Sequence, residues 1–266
     1  MINNITFGQY FPGNSVLHRL DPRTKIVGTL LFISSIFLAE KTTAYTVILA
    51  FIIFAVIVSG ISLRTILRSF RPLWIILVFT LGIHMFSTPG LVLYAWGPLT
   101  LTQEGLRQGI FMSSRLLFLI VISSLLTFTT SPIVLTDGIE RLLSPFRKIG
   151  FPAHELAMMM TIALRFIPTL LEETDRIMKA QMARGADFSS GSIIRRAQNM
   201  IPLLIPLFIS AFRRADELAT AMEARCYRGG ENRTRMKELM ITWLDGVAVM
   251  ILLLMLGVLG YLRWWQ

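Results

Sequence analysis

Residues 240–262, MITWLDGVAVMILLLMLGVLGYL, decide the fold class. An α-helix rises about 1.5 Å per residue and the hydrocarbon core of a bilayer is about 30 Å thick, so about 20 apolar residues cross it. This stretch has that length with a single acidic residue, Asp245, near its start. Working back along the chain, four more apolar segments appear: Ile26 to Ala39, Ala44 to Gly60, Leu73 to Phe86 and Ile110 to Thr130. The first and third of these are shorter than a full crossing.

The composition agrees. Of 266 residues, 54% are hydrophobic and only 16% charged, with a mean hydropathy of +0.63, which excludes an ordinary water-soluble domain. Eighteen Phe and five Trp equally exclude a disordered chain, because such residues insert or collapse. One cysteine, Cys226, leaves no intrachain disulfide and no thiolate metal cage. The N-terminus lacks a basic start, apolar run and small-residue cleavage site, so the expectation is that it is retained.

The formal charge of +10 has a topological explanation that makes a nucleic-acid partner unnecessary. If all five segments cross and the N-terminus is cytoplasmic, the short inside loops hold Arg19, Arg23, Lys25, Arg64, Arg68 and Arg71. The outside loops then hold only Lys41, Arg107 and Arg263. Cations favour the cytoplasmic face, so the expected protein is all-α and polytopic in the cell membrane, with the N-terminus inside and the C-terminus outside. His84, Arg115 and Asp245 lie in or near apolar segments, where one interhelical partner or snorkelling explains each better than a proton relay.

The stretch from Ser131 to Leu239 has no clear crossing and is too long for a plain loop. The expected organisation is therefore 1–130 as an N-terminal segment with four membrane helices, 131–239 as a cytoplasmic helical domain, and 240–266 as a fifth membrane helix. Within that domain a helix is expected from Ala153 to Arg184, kinked at Pro168 and stopped by Gly185. A second is expected to open near Ser192, meet Pro202 and Pro206, and run through Arg225 until Gly229 and Gly230. Both should be broken near the front by proline.

Compared at an offset of 41 residues, these two helices end alike: Asp175 falls on Asp216, Ala180 on Ala221, and Ala183-Arg184-Gly185 on Ala224-Arg225-Cys226. One arginine at a helix end is explained by the negative pole of the helix dipole. Two copies between small neighbours suggest a pair of plugs for two similar sockets, since a guanidinium fork suits carboxylates and carbonyls in a groove. Methionines are concentrated in the same region, and Met suits surfaces that repack against partners. Met158, Met159, Met160, Met178 and Met182 are the candidates for contact with a partner, with a soft helical core as the equal alternative that exposure would separate.

Catalytic signatures are wanting. The chain has no G-x-x-x-x-G-K-[ST] phosphate loop, and His154-Glu155 begins a zinc motif whose second histidine position is Met158. The run GQYFPGNSVLHRLDPRTK at 8–25, the Leu164-Arg165-Phe166-Ile167-Pro168 sequence and the two Ala-Arg-Gly/Cys endings resemble the transmembrane T component of energy-coupling factor (ECF) vitamin transporters. That resemblance implies a non-enzymatic scaffold coupling two ABC-type ATPases to a substrate-binding membrane S component. It also implies that Arg184 and Arg225 dock in the ATPases, that the five methionines face the S component, and that ATP and magnesium sit on the partners, with no cofactor on this chain. Here Cys226 replaces the second glycine. Cobalt and nickel importers use a similar component and form the alternative reading. A stand-alone secondary transporter is less favoured, since it would need a midplane polar site and paired broken helices.

Overall fold

The computed structural model describes residues 10–39, 41–96, 99–188, 192–229 and 238–264. Gly8, Gln9 and Gly230, which entered the sequence reading, lie outside them. The described chain is almost entirely helical and forms two compact units, one of Gly8–Gly138 with Glu238–Gln266 and one that contains Ile139–Lys237.

The first unit contains α1 (Val16–Arg19), α2 (Pro22–Leu38), α3 (Thr42–Ser59), α4 (Leu63–Ser69), α5 (Trp74–Ser87), α6 (Gln103–Thr129) and α10 (Trp243–Trp264). Its core is dry. Phe32 and Ile36 of α2, Ile48 of α3, Phe118 and Leu125 of α6 and Leu252 of α10 pack together in one cluster. Outward-facing apolar residues such as Ile57, Phe79 and Leu254 are each more than 65% exposed, a surface suited to lipid and not to water. A two-stranded antiparallel hairpin, β1 (Val92–Trp96) with β2 (Leu99–Thr102), joins α5 to α6 and was not expected from the sequence. Thr102 ends it and begins α6, its hydroxyl donating to the Thr88 carbonyl at 2.7 Å and accepting from the Gly105 amide at 3.1 Å. Gly105 and Gly109 then let α6 lie close on α5, where a Cβ would stand 2.6 Å from the His84 carbonyl and 3.1 Å from that of Leu81.

Four helices are individually long and apolar enough to cross a membrane: α3, α6, α10 and α8 (Ala153–Ala183) of the second unit; α4 with α5, bent by 64°, adds a fifth if the pair is one span. This differs from the sequence reading at two places. The 17 residues of α2 fall just short, and α8 qualifies with a mean hydropathy of 1.2, against 2.0 or more for the others. The apolar part of α8 precedes a charged part that holds Glu172, Glu173, Asp175, Arg176 and Lys179.

Two of the three ionisable residues singled out in or near apolar segments, Arg115 and Asp245, have a packing role. Arg115 Nη2 donates to the Ala39 carbonyl at the end of α2, at 3.2 Å, with Phe37 beneath its guanidinium. Asp245 is 1% exposed. Its Oδ1 accepts from the Asp21 amide at 2.8 Å, and its Oδ2 accepts from the Thr242 amide and hydroxyl at 2.7 and 2.8 Å. Asp21 in turn caps α2, accepting from the Arg23 amide at 2.9 Å while Arg23 grips its carboxylate. One buried carboxylate thus ties the start of the bundle to its last helix. Asp245→Ala leaves a buried amide without an acceptor and is expected to destabilise the purified chain by about 2–4 kcal/mol, read as a lowered Tm in detergent, with Asp245→Asn intermediate.

Candidate functional site: two arginine-tipped helices

The second unit is built on α8 and α9 (Ile193–Ala224), preceded by the end of α7 (Pro132–Leu143) and a 3₁₀ turn over Ser144–Ile149. Ser192 caps α9, its hydroxyl accepting from the Arg195 amide. The prolines do not break either helix. Pro168 lies inside α8, and Pro202 and Pro206 lie inside α9. A proline removes one amide donor and crowds the preceding turn, which long helices with open faces accommodate; α8 buries only Ala153 and Ala157 among its described residues.

Both helices end in the same backbone motif. At the end of α8, the Gly185 amide donates to the Met182 carbonyl and the Ala186 amide to that of Gln181, both at 3.0 Å. At the end of α9, the Cys226 amide donates to the Glu223 carbonyl at 2.8 Å and the Tyr227 amide to that of Met222 at 3.0 Å. These are two Schellman caps, each with arginine as the last residue before a left-handed one. Gly185 has φ of +87° and Cys226 has φ of +56°. The cysteine therefore preserves the turn, and it is the only described non-glycine residue with positive φ. It also stops α9 before the Gly229-Gly230 pair, a correction to the expected end, because the left-handed backbone at Cys226 already closes the cap.

The caps bear on the arginines. The last carbonyls are satisfied by backbone amides, so neither guanidinium is needed to complete its helix. Ala183, Arg184, Gly185, Ala224, Arg225 and Cys226 are all exposed. Among the described residues, no side chain pairs with Arg184 or Arg225.

The duplicated pattern also has a spatial expression. Arg214 Nη2 donates to Glu173 Oε2 at 2.6 Å, and these two positions are related by the same 41-residue offset as the arginines. Arg184 and Arg225 each lie eleven residues beyond that ion pair. At about 1.5 Å per residue, each tip therefore lies about 16 Å along its helix from that ion pair. Hydrogen bonds from Arg214 and Ser210 hold the Glu173 carboxyl below the usual carboxylate range.

The methionine candidates divide. Met159, Met160 and Met182 are exposed, whereas Met158 and Met178 are half-buried. A more continuous surface escaped the sequence reading: Ile201, Ile205, Phe208 and Phe212 of α9, each more than half exposed, recur at spacings of four, three and four residues and so share one face. That periodicity was available in the sequence but was overshadowed by Pro202 and Pro206. Among the described residues, no three His, Cys, Asp or Glu side chains converge as metal ligands would.

The family model described as CbiQ, cobalt transport protein, matches residues 13–236. The chain is 60% identical over 264 residues to the energy-coupling factor transporter transmembrane protein EcfT of Acidaminococcus fermentans, covering 99% of this chain and 98% of that one. It is 64% identical over 244 residues to the protein of the same name from Thermosediminibacter oceani, covering 92% of each. The Bacillus subtilis protein of that name is 46% identical over 264 residues, covering 99% of this chain and all of that one. A chain of helices apolar enough to cross a membrane thus matches transmembrane proteins of transporters over nearly its whole length. The chain belongs to the CbiQ family and, within it, to the transmembrane T components of ECF transporters. The names of these relatives favour this reading over the cobalt or nickel importer.

Two expectations follow. Replacing Cys226 by Gly removes a left-handed penalty and is expected to stabilise the chain by about 0.5–1 kcal/mol, whereas Gly185→Val should cost about 1–2 kcal/mol through backbone strain; thermal unfolding in detergent measures both. A carboxyl with a lowered folded pKa stabilises fully above its unfolded pKa, near 4.5, and loses that contribution as pH falls through the folded value. Glu173→Gln is therefore expected to cost about 0.5–1 kcal/mol at pH 7, less as the pH falls below about 4, read from Tm against pH.

Proposed function

We propose that this chain is the non-catalytic coupling scaffold of an ECF-type importer for vitamins or related micronutrients. In this reading α2, α3, α4 with α5, α6 and α10 cross the cell membrane, with the N-terminus and the second unit cytoplasmic and the C-terminus outside. The charge distribution supports it, with six cations in the short inside loops against three outside. Arg184 and Arg225 dock in two ABC-type ATPases, which carry the ATP and magnesium. The apolar stripe of α9, with Met158, Met159, Met160, Met178 and Met182 of α8, meets the substrate-binding S component. The observation that carries the reading is the pair of matched helix ends, each presenting an arginine that no described side chain pairs with.

The mechanism follows from stiffness. Nucleotide-driven closing of the ATPases moves their sockets, and a capped helix transmits displacement of its tip along its length. Two tips equally far beyond the Glu173–Arg214 pair give the two ATPases levers of equal length. The moving helices then reorient the S component seated on their apolar faces.

The test substitutes Arg184 and Arg225 by Ala together and measures vitamin uptake in cells and recovery of ATPase subunits with the purified chain. Losing charge-assisted, forked hydrogen bonds at each tip is expected to weaken association about tenfold or more per site and to abolish most uptake. Normal uptake with an intact complex would reject the docking role.

A further inference from the structure

His154 began an incomplete zinc motif in the sequence, and the coupling reading leaves it without a role. Its ring lies between two side chains: Nδ1 is 3.0 Å from Glu140 Oε1 and Nε2 is 3.1 Å from the Tyr227 hydroxyl. The His154 and Glu140 side chains are 15% and 13% exposed, so water competes little for these bonds. A carboxylate only accepts, so Nδ1 donates to Glu140, while Nε2 and the Tyr227 hydroxyl share the second hydrogen bond.

Tyr227 connects this chain of hydrogen bonds to the second arginine tip. Its amide closes the cap of α9 on the Met222 carbonyl, while its hydroxyl reaches His154 in the first turn of α8. Arg225 and Cys226 lie inside the span so fixed. The first tip is held differently. The position equivalent to Tyr227 is Ala186, which has no polar side chain, and the loop beyond it is held by Asn199 Nδ2 donating to the Asp187 carbonyl at 2.6 Å.

We propose that Glu140, His154 and Tyr227 form a strut that positions the Arg225 tip, and that tip alone, against the root of α8. These are positioning residues, and their importance for transport rests on the docking reading above, although the strut is a property of this chain by itself. The two arginine levers are then unequal in their mounting: displacement of Arg225 is passed to the start of α8 and the end of α7, whereas the Arg184 ending answers to α9 through Asn199.

Cys226, the only cysteine in the sequence, is exposed and sits inside the span, so a nitroxide attached to it reports the tip directly. The experiment uses the full chain in lipid nanodiscs. Tyr227→Phe, which keeps the ring and removes only the hydroxyl, and His154→Ala are each expected to raise the mobile fraction of the label at Cys226 about fivefold, the effect of one ordinary hydrogen bond. Glu140→Gln retains an acceptor for Nδ1 and is expected to stay near the parent spectrum. A label at Gly185→Cys in a Cys226→Ser background should not respond to His154→Ala. An unchanged spectrum at position 226 in Tyr227→Phe overturns the strut, and so does an equal response at both tips. In the assembled transporter, Tyr227→Phe is expected to lower uptake while the ATPases remain bound. Intact binding in Arg225→Ala would count against the docking reading instead, leaving the spectra to decide the strut.

Discussion

A peptide amide in hydrocarbon must find its acceptor inside the protein, and this requirement organises the membrane part of the chain. Within a helix the ladder meets it. At helix ends it does not, and there four polar side chains supply what the ladder lacks. Asp21 and Asp245 serve the starts of α2 and α10, Thr102 serves the start of α6, and Arg115 serves the end of α2. None of these side chains faces others in the manner of a proton relay. Their placement explains how a bundle with such a low share of charged residues retains buried charge: each charged group replaces a solvation that lipid cannot provide.

The same accounting has a different outcome at the ends of α8 and α9. There the last carbonyls are met by backbone amides folded back through a left-handed residue, and no described side chain pairs with the arginine at the end of each helix. A glycine at this turn is the unstrained solution. Cys226 accepts a left-handed backbone that costs about 1 kcal/mol for a residue with a Cβ, and its presence shows that the turn is fixed by the closed cap and not by glycine alone. The bonds of Tyr227 on both sides, to Met222 and to His154, give a physical reason why a non-glycine residue holds that conformation here.

Much of this was legible in the sequence because the signals are local. Apolar runs, the small residues after each arginine and Ser192 before α9 each act within a few positions, so helix extents and the two tips could be read directly. What escaped depends on partners distant in the chain or on signals of comparable strength in conflict. The Asp21–Asp245 bond spans 224 residues, and no periodicity announces it. The Glu140–His154–Tyr227 chain joins three segments that look unrelated in sequence. The short hairpin at Val92–Thr102 was absorbed into a loop because its strands are brief and end at the cap of α6. Pro168, Pro202 and Pro206 carried a breaking signal, but the cost of one missing amide is small beside the many retained bonds of helices of 31 and 32 residues. Conversely, Gly229-Gly230 looked like the stronger stop and lost to a cysteine, because a cap once closed leaves the following glycines nothing to end.

The contrast between the two helical pairs bears on how coupling works. In the membrane unit, large side chains such as Phe32, Phe128 and Leu125 are fully enclosed, and such packing resists gradual deformation. In the second unit, α8 and α9 bury few residues, leave the Ile201–Phe212 face of α9 open, and are joined by the half-exposed Glu173–Arg214 pair. An ion pair of that kind contributes at most about 1 kcal/mol to holding two helices together. A contact this weak suits a crossing that must change angle under load, whereas a dry, interlocked core would lock it. Rigidity therefore lies along the helices, through length and closed caps, and between them it is concentrated at the His154–Tyr227 bond near one end. In the proposed coupling, displacement applied at an arginine is then carried to an apolar face that is open to turn with it.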